Sequence, residues 1–338
     1  MNILYVSSHA ILEYDELRLF AGLGHTVFSL GYYFDLTSPR WGVNFRPPIL
    51  EYSVPQEWYE LFEATGCSMA PPLDGATVTK EFADRFDAIV IMSSLDFLNR
   101  NWEAIKHRPV IWRSIGQNLP PVEEGLQPFA GKIKIVRTSP KESLTAGYAG
   151  GDAIIRFYKE ATEWSGWTGE DEIVLTLYSF LKQRTHYCNS DFYEACTQPF
   201  DRVLYGNSNE DIAWAKGLAD APVVMEAMRK SRLYFCVHTA PAGYTLNFME
   251  AWMTGIPVVT YGPEVAPYSQ FYEVPDFIED GVSGFLVDTV SRAHEVMQML
   301  LRDWDLARTI SQNGRSAAIR LFGRDIAMAA WSDFFRTL

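Results

Sequence analysis

With 338 residues, 48% of them hydrophobic and 21% charged, the chain is long enough for two domains of ordinary size and too apolar to be disordered. Its formal net charge of −13 repels phosphate backbones, so nucleic acid is not the expected partner, and an anionic small ligand would need local basic residues to hold it. No apolar run approaches the ~20 residues of a membrane span. The four cysteines, Cys67, Cys188, Cys196 and Cys236, form no Cys-x-x-Cys pair and no metal spacing, and read as reduced thiols of a cytoplasmic protein.

The opening MNILYVSSHAILEYDE lacks a basic region ahead of a long apolar core, and reads as a first strand rather than a signal peptide. A strand is predicted over Asn2–Ser7. A helix follows over Glu13–Gly24, with Leu17, Phe20 and Leu23 as its stripe, and then the strand HTVFSLGY. Strand, helix, strand opens a parallel sheet with right-handed crossovers. Residues 36–80, rich in Pro, Gly and aromatics, read as a long insertion that is partly loop. FDAIVIMSS, RPVIWRS and KIKIVRTS are further buried strands. A Gly-rich, polar stretch over 146–172 marks a boundary, after which the strand pattern restarts with IVLTLYSF. RVLYGN, LYFCVHT, IPVVTYG and GFLVD are the later strands. Helical patterns such as Val223–Lys230 and Ser291–Trp304 separate them. The expectation is two doubly wound α/β halves facing across a cleft, with ligands at the carboxyl ends of the strands.

One such end carries the most informative stretch, PAGYTLNFMEAWMTGIPVVTYG, from Pro241 to Gly262. A Gly-containing loop opens a helix whose N-terminal amides and partial positive charge suit a phosphate. Gly243 lets the backbone approach closely. Leu246, Met249 and Met253 form an apolar stripe, and Glu250 borders it, where a carboxylate needs a partner. A capping box, with Asn247 at the N-cap and Glu250 three residues on, accounts for that carboxylate without any ligand.

YTLNFMEAWMTGIPVVTYG, followed by EDGVSGFLVD (Glu279–Asp288), resembles the C-terminal domain of the retaining GT-B glycosyltransferases that carry a Glu-x7-Glu motif. GLGHTVFSL is similar to that family's first helix–strand connection. The resemblance implies the GT-B fold: residues 1–155 form an N-terminal, acceptor-side Rossmann-like domain. Residues 156–322 form a C-terminal nucleotide-sugar domain, and 323–338 a helix crossing back to the first. It implies a hexosyltransferase moving a sugar from a UDP- or GDP-sugar to a hydroxyl acceptor. Retention of configuration, no bound metal and no cofactor beyond the donor substrate are further implications.

By the same resemblance the loop at Gly243, Tyr244, Thr245 and Leu246 cradles the diphosphate, and Glu250 holds the ribose. Arg184, with Lys182 beside it, contacts the phosphates, and Gly206 either lies close beside the nucleobase or makes a tight turn. Apart from the resemblance, His238 ends the strand before the loop, where donation to a phosphate or sugar and simple packing explain it equally. Two positions depart from the family pattern: Ala242 stands where its first Glu is expected, and Ser179 where its Arg is. They favour an alternative, a catalytically silent nucleotide-sugar-binding subunit. A sugar-nucleotide epimerase or a phosphorylase on the same fold is a further rival. His9, Arg113 and Gln117, at strand ends of the first half, are acceptor-side candidates. A solvated loop explains His9 equally, and a solvated helix face explains Glu226. Trp164 and Trp167 are expected to pack the domain junction rather than stack on sugars.

Overall fold

The computed structural model describes residues 1–34, 49, 52–69, 75–117 and 119–338. They divide into two compact units, Met1–Phe157 with Ala327–Leu338, and Tyr158–Ile326. Both are α/β units with wholly parallel sheets, as the strand pattern predicts.

In the first unit the strands are β1 (Asn2–Ser7), β2 (Thr26–Ser29), β3 (Ala88–Met92), β4 (Val110–Arg113), β5 (Lys134–Arg137) and β6 (Ala153–Ile154). Their order is β2-β1-β3-β4-β5-β6. The central β3, AIVIM, is buried along its whole length, which is why it reads as a continuous apolar run. The helices are α1 (Ala10–Gly22), α2 (Gln56–Ala64), the short α3 (Lys80–Ala83), α4 (Leu95–Ile105) and α5 (Pro120–Leu126). α1 starts earlier than the apolar stripe suggests, because His9 caps it by accepting from the Leu12 amide. Within the stretch read as an insertion, the described residues hold α2 and the start of α3; residues 36–48, 50–51 and 70–74, and Asn118, lie outside the described residues. α2 belongs to the core through Trp58 and Phe62, which meet Phe28, Phe82 and Phe86 in an aromatic cluster. Each such ring contributes about 1.5–3 kcal/mol by leaving water.

In the second unit the strands are β7 (Asp171–Leu177), β8 (Arg202–Tyr205), β9 (Ser231–Cys236), β10 (Val258–Tyr261) and β11 (Phe285–Val287), ordered β11-β10-β9-β7-β8. Around them lie α6 (Thr185–Cys188), α7 (Ser190–Thr197), α8 (Ala221–Lys230), α9 (Leu246–Thr254), α10 (Val274–Phe277), α11 (Val290–Arg302) and α12 (Trp304–Phe322). The helix expected over Ser291–Trp304 is α11, which ends two residues earlier than predicted, at Arg302. Asp303 ends it with an extended backbone and caps α12 by accepting from the Leu306 amide. The last helix, α13 (Arg324–Phe335), belongs to the first unit from Ala327 onward, where Trp331 and Phe335 pack edge-on against Phe20. No described helix is long and apolar enough to cross a membrane, and all four cysteines are free thiols.

Candidate functional site

In an open parallel sheet the chain leaves a crevice at the carboxyl edge where consecutive strands fall on opposite sides of their predecessor. In the second unit β8 lies on one side of β7 and β9 on the other. The switch point is therefore between β7 and β9. The two chain segments leaving it are 178–184 and 237–245, the same segments singled out from sequence.

These segments are stitched together. The Ala240 amide donates to the Tyr187 carbonyl at 3.0 Å, and the Asn247 side-chain amide donates to the Leu177 carbonyl at 3.2 Å. On the far side the Glu273 amide donates to the Gly243 carbonyl at 2.8 Å. Gly243 is buried in this seam, and the Tyr244 ring packs against Phe277 and Phe322. α9 begins at Leu246, capped by Thr245, whose hydroxyl accepts from the Phe248 amide at 3.2 Å. Leu246 and Asn247 thus supply the leading amides, ahead of the first intrahelical bond. The cap is Thr245 and not Asn247, so Glu250 lies outside a capping box and that account of its carboxylate fails. α9 stops at Gly255, whose φ of +94° is left-handed, as a helix terminus before Pro257 requires.

Glu250 is 4% exposed, and its Oε1 lies 2.7 Å from Lys159 Nζ. Lys159 is wholly buried; its backbone amide donates to the Phe322 carbonyl, and its ammonium lies 6.0 Å from the centre of the Trp164 ring. Sequence reasoning missed this partner. Nothing local links a lysine on an irregular segment to a helix that follows three strands later.

His238 follows β9 directly. It is 1% exposed, its ring lies against Tyr272 at 4.1 Å between centroids, and the Tyr272 hydroxyl is 2.6 Å from that of Thr260. The imidazole comes near the Pro267 carbonyl, yet neither ring nitrogen makes a hydrogen bond of good geometry. Burial lowers its pKa to about 3, so the ring is neutral at physiological pH. Arg184 and Lys182 are exposed: Arg184 lies over the Phe180 ring, and Lys182 Nζ is 3.5 Å from Asp211. Gly206 has a φ of +146°, and a Cβ there would stand 2.0 Å from the Tyr178 carbonyl oxygen. Its lack of a side chain lets the ends of β8 and β7 approach closely.

Outside this edge, Glu226 pairs with Lys230 one turn on along α8, as a solvated helix face does. Trp164 is buried within the second unit, and Trp167 stacks on Trp304 in the same unit. In the first unit Gln117 is exposed, whereas Arg113 is buried, with its Nε 2.7 Å from Glu16 Oε1 and its Nη1 bonded to the Ile155 carbonyl. Arg113 therefore holds the sheet edge together.

No family model matches the sequence, and no curated protein matches it. Solved structures do, over essentially the whole chain at low identity. HepE from Anabaena in complex with UDP-glucose is 15% identical with a TM-score of 0.68, covering 100% of both chains. Sucrose-phosphate synthase from Thermosynechococcus elongatus is 13% identical with a TM-score of 0.70, covering 100% of this chain and 98% of that one. A glycosyltransferase from Rickettsia africae is 11% identical with a TM-score of 0.66, covering 99% and 98%. These likenesses, with the two parallel-sheet units, show that the chain has the GT-B fold of nucleotide-sugar glycosyltransferases.

Proposed function

We propose that the chain transfers a sugar from a nucleotide-sugar donor, a UDP-sugar in the first instance, to a hydroxyl acceptor held by the first unit. The observation that carries the proposal is the switch-point edge of the second sheet. There a helix N-terminus, a buried neutral imidazole and two exposed cations follow adjacent strands. HepE, of the same fold, was solved with UDP-glucose and with UDP and glucose, which supports a UDP-sugar as donor.

The roles follow from chemistry. The amides at Gly243–Leu246 and the Arg184 guanidinium, with Lys182, take the diphosphate. As the bond between the anomeric carbon and the phosphate oxygen breaks, its electron pair stays on that oxygen, and these donors stabilise the growing charge. The neutral His238 offers one donor and one acceptor to a sugar hydroxyl. Gly206 borders the nucleobase. Glu250 accepts from the ribose hydroxyls. With donors and cations supplied by the chain, the reaction is proposed to need neither metal nor cofactor, and by resemblance to retain configuration.

The test is calorimetric titration with UDP, GDP, UDP-glucose and uridine, followed by assay of donor hydrolysis. Binding of a nucleoside diphosphate with Kd in the micromolar range is expected, weakened about tenfold or more in Glu250→Gln. A chain that binds none of the panel refutes the proposal. A second reading, a silent nucleotide-sugar-binding subunit, is favoured by Ala242 and Ser179; binding with neither hydrolysis nor transfer would select it.

A further inference from the structure

The segments carrying Tyr187 and Tyr268 follow β7 and β10, the two strands that flank β9. Their rings stack at 6.4 Å between centroids with planes 28° apart, the offset arrangement aromatic pairs prefer, and Tyr268 stays 50% exposed. Asn189 ties the two segments together: its side-chain amide donates to the Val265 carbonyl at 3.0 Å, and its carbonyl accepts from the Tyr261 hydroxyl at 3.1 Å. The Tyr187 carbonyl takes the Ala240 amide, and the Pro267 carbonyl comes near the His238 ring, so both tyrosines border the segment leaving β9. Tyr268 also has a φ of +52°, a left-handed backbone that is costly for a bulky residue and persists only where the surroundings hold it. Phe180 after β7 and Ser208 after β8 share that conformation, which gathers strain along this edge.

We propose, resting on the transferase reading above, that the Tyr187–Tyr268 stack is a subsite for the acceptor and that the acceptor is a saccharide. The sheet order sets the direction. Gly206, assigned to the nucleobase, follows β8, whereas Tyr268 follows β10, three steps away in the order β10-β9-β7-β8 and so about 14 Å off at roughly 4.8 Å per strand. A nucleotide with its base at β8 and its diphosphate at the loop after β9 points its sugar end towards β10. His238, assigned to the donor sugar, is 1% exposed, and Tyr268 stands at the rim one residue beyond Pro267, where the next molecule outward is the acceptor. A pyranose suits this surface: its C–H face meets the electron-rich face of an aromatic ring, while its hydroxyls turn to the polar rim. Exposed His186, whose ring lies 3.8 Å from that of Tyr187, and exposed Gln270 supply such a rim.

The experiment measures, by ligand-observed NMR, binding of maltotriose, cellotriose and chitotriose with and without saturating UDP, and of UDP itself. Glycerol, which offers hydroxyls without a ring, is the control. The parent is expected to bind at least one trisaccharide in the roughly millimolar range, with saturation concentrated on its ring C–H protons, and to ignore glycerol. Tyr268→Gly removes the ring while giving the left-handed backbone to the residue that adopts it freely, so the melting temperature is expected to hold or rise. The same variant should weaken the trisaccharide about fivefold or more and leave UDP unchanged, whereas Tyr268→Phe keeps both. Where Tyr268→Gly loses every ligand, Tyr187→Leu decides by the same reading. A trisaccharide bound as tightly by the variant as by the parent overturns the inference, as does a variant that weakens UDP alone, which would make the ring a nucleobase contact. A parent that binds UDP and none of the three saccharides leaves the transferase reading standing and overturns this inference alone. If a trisaccharide binds through Tyr268 but neither UDP nor UDP-glucose binds, the transferase reading fails and the assignment as acceptor falls with it.

Discussion

The carboxyl edges of the two sheets handle buried charge in opposite ways. Among the described residues of the first unit, the buried Arg137 and Arg113 at that edge are both paired with carboxylates, although Arg113 Nη2 has no hydrogen-bond partner. Arg137 holds Glu123 through both its Nη atoms, at 2.6 and 2.9 Å, and also bonds the Gly150 carbonyl. Glu142 gathers Ser114, Thr138 and the Ser139 amide. Arg113 binds Glu16, which also accepts from the Tyr5 hydroxyl. In the second unit the edge shows one buried pair, a neutral imidazole without a well-formed hydrogen bond, leading helix amides and exposed cations. Exposed cations and leading helix amides are groups that an anionic ligand can reach. The contrast thus teaches which edge is a finished wall and which has capacity for an anionic, hydroxyl-rich molecule.

The hardest test of that contrast is to remove a cation from the wall. Arg137→Met leaves Glu123 and Glu142 buried without their main partner, and should cost roughly 3–5 kcal/mol in urea unfolding. A loss below about 1 kcal/mol would show that the network is not what closes that edge.

Acid and base should separate the units next. Burial raises the Glu13 pKa to about 7, although Ser29 and the amides of Tyr33 and Tyr32 oppose it. Its stabilising contribution is complete below about pH 4.5 and is lost as the pH rises through about 7. His238, lowered to about 3, works in reverse: its contribution is present above about pH 6.5 and is lost as the pH falls towards 3. Between about pH 4.5 and 6.5 the two slopes, each about 1.4 kcal/mol per pH unit, oppose one another. Glu13→Gln should unmask the His238 slope, a loss of about 3 kcal/mol on acidification across that window. A variant whose stability stays flat there would remove one of the two groups from the account.

A smaller effect is expected at the edge with capacity. Arg184→Ala should lower nucleoside diphosphate affinity by about 1.5–3 kcal/mol, leave uridine binding alone and change stability by less than about 0.5 kcal/mol. Equal losses for both ligands would take Arg184 out of the diphosphate site. The smallest effect is at the helix cap. Thr245→Ala should cost about 1 kcal/mol of stability, measured by thermal unfolding; no cost would return the capping role to Asn247.

The strands were legible because buried parallel strands are uninterrupted apolar runs, and β3 and β9 are buried from end to end. α2 was not, because its aromatics sit among prolines and glycines whose local signal is loop, and only the ring cluster around Phe28 makes the segment core. The loop before α9 was legible by composition, whereas the choice between Thr245 and Asn247 was not, since two good capping residues stand two apart. The chemistry of Arg113 suggested a ligand, and burial at the strand end gave it Glu16. The Lys159–Glu250 pair is a long-range contact, and a single sequence carries no signal for it.

The first unit is assembled from two separate stretches of the chain: Phe20 is completely buried, with Trp331 and Phe335 packed edge-on against it. During synthesis, domains generally close as their residues emerge. Here β1 and α1 emerge ahead of the second unit, whereas their aromatic partners follow it. The second unit, continuous from Tyr158 to Ile326, has all its strands available before then. Completion of the first unit therefore waits on a helix translated after the second.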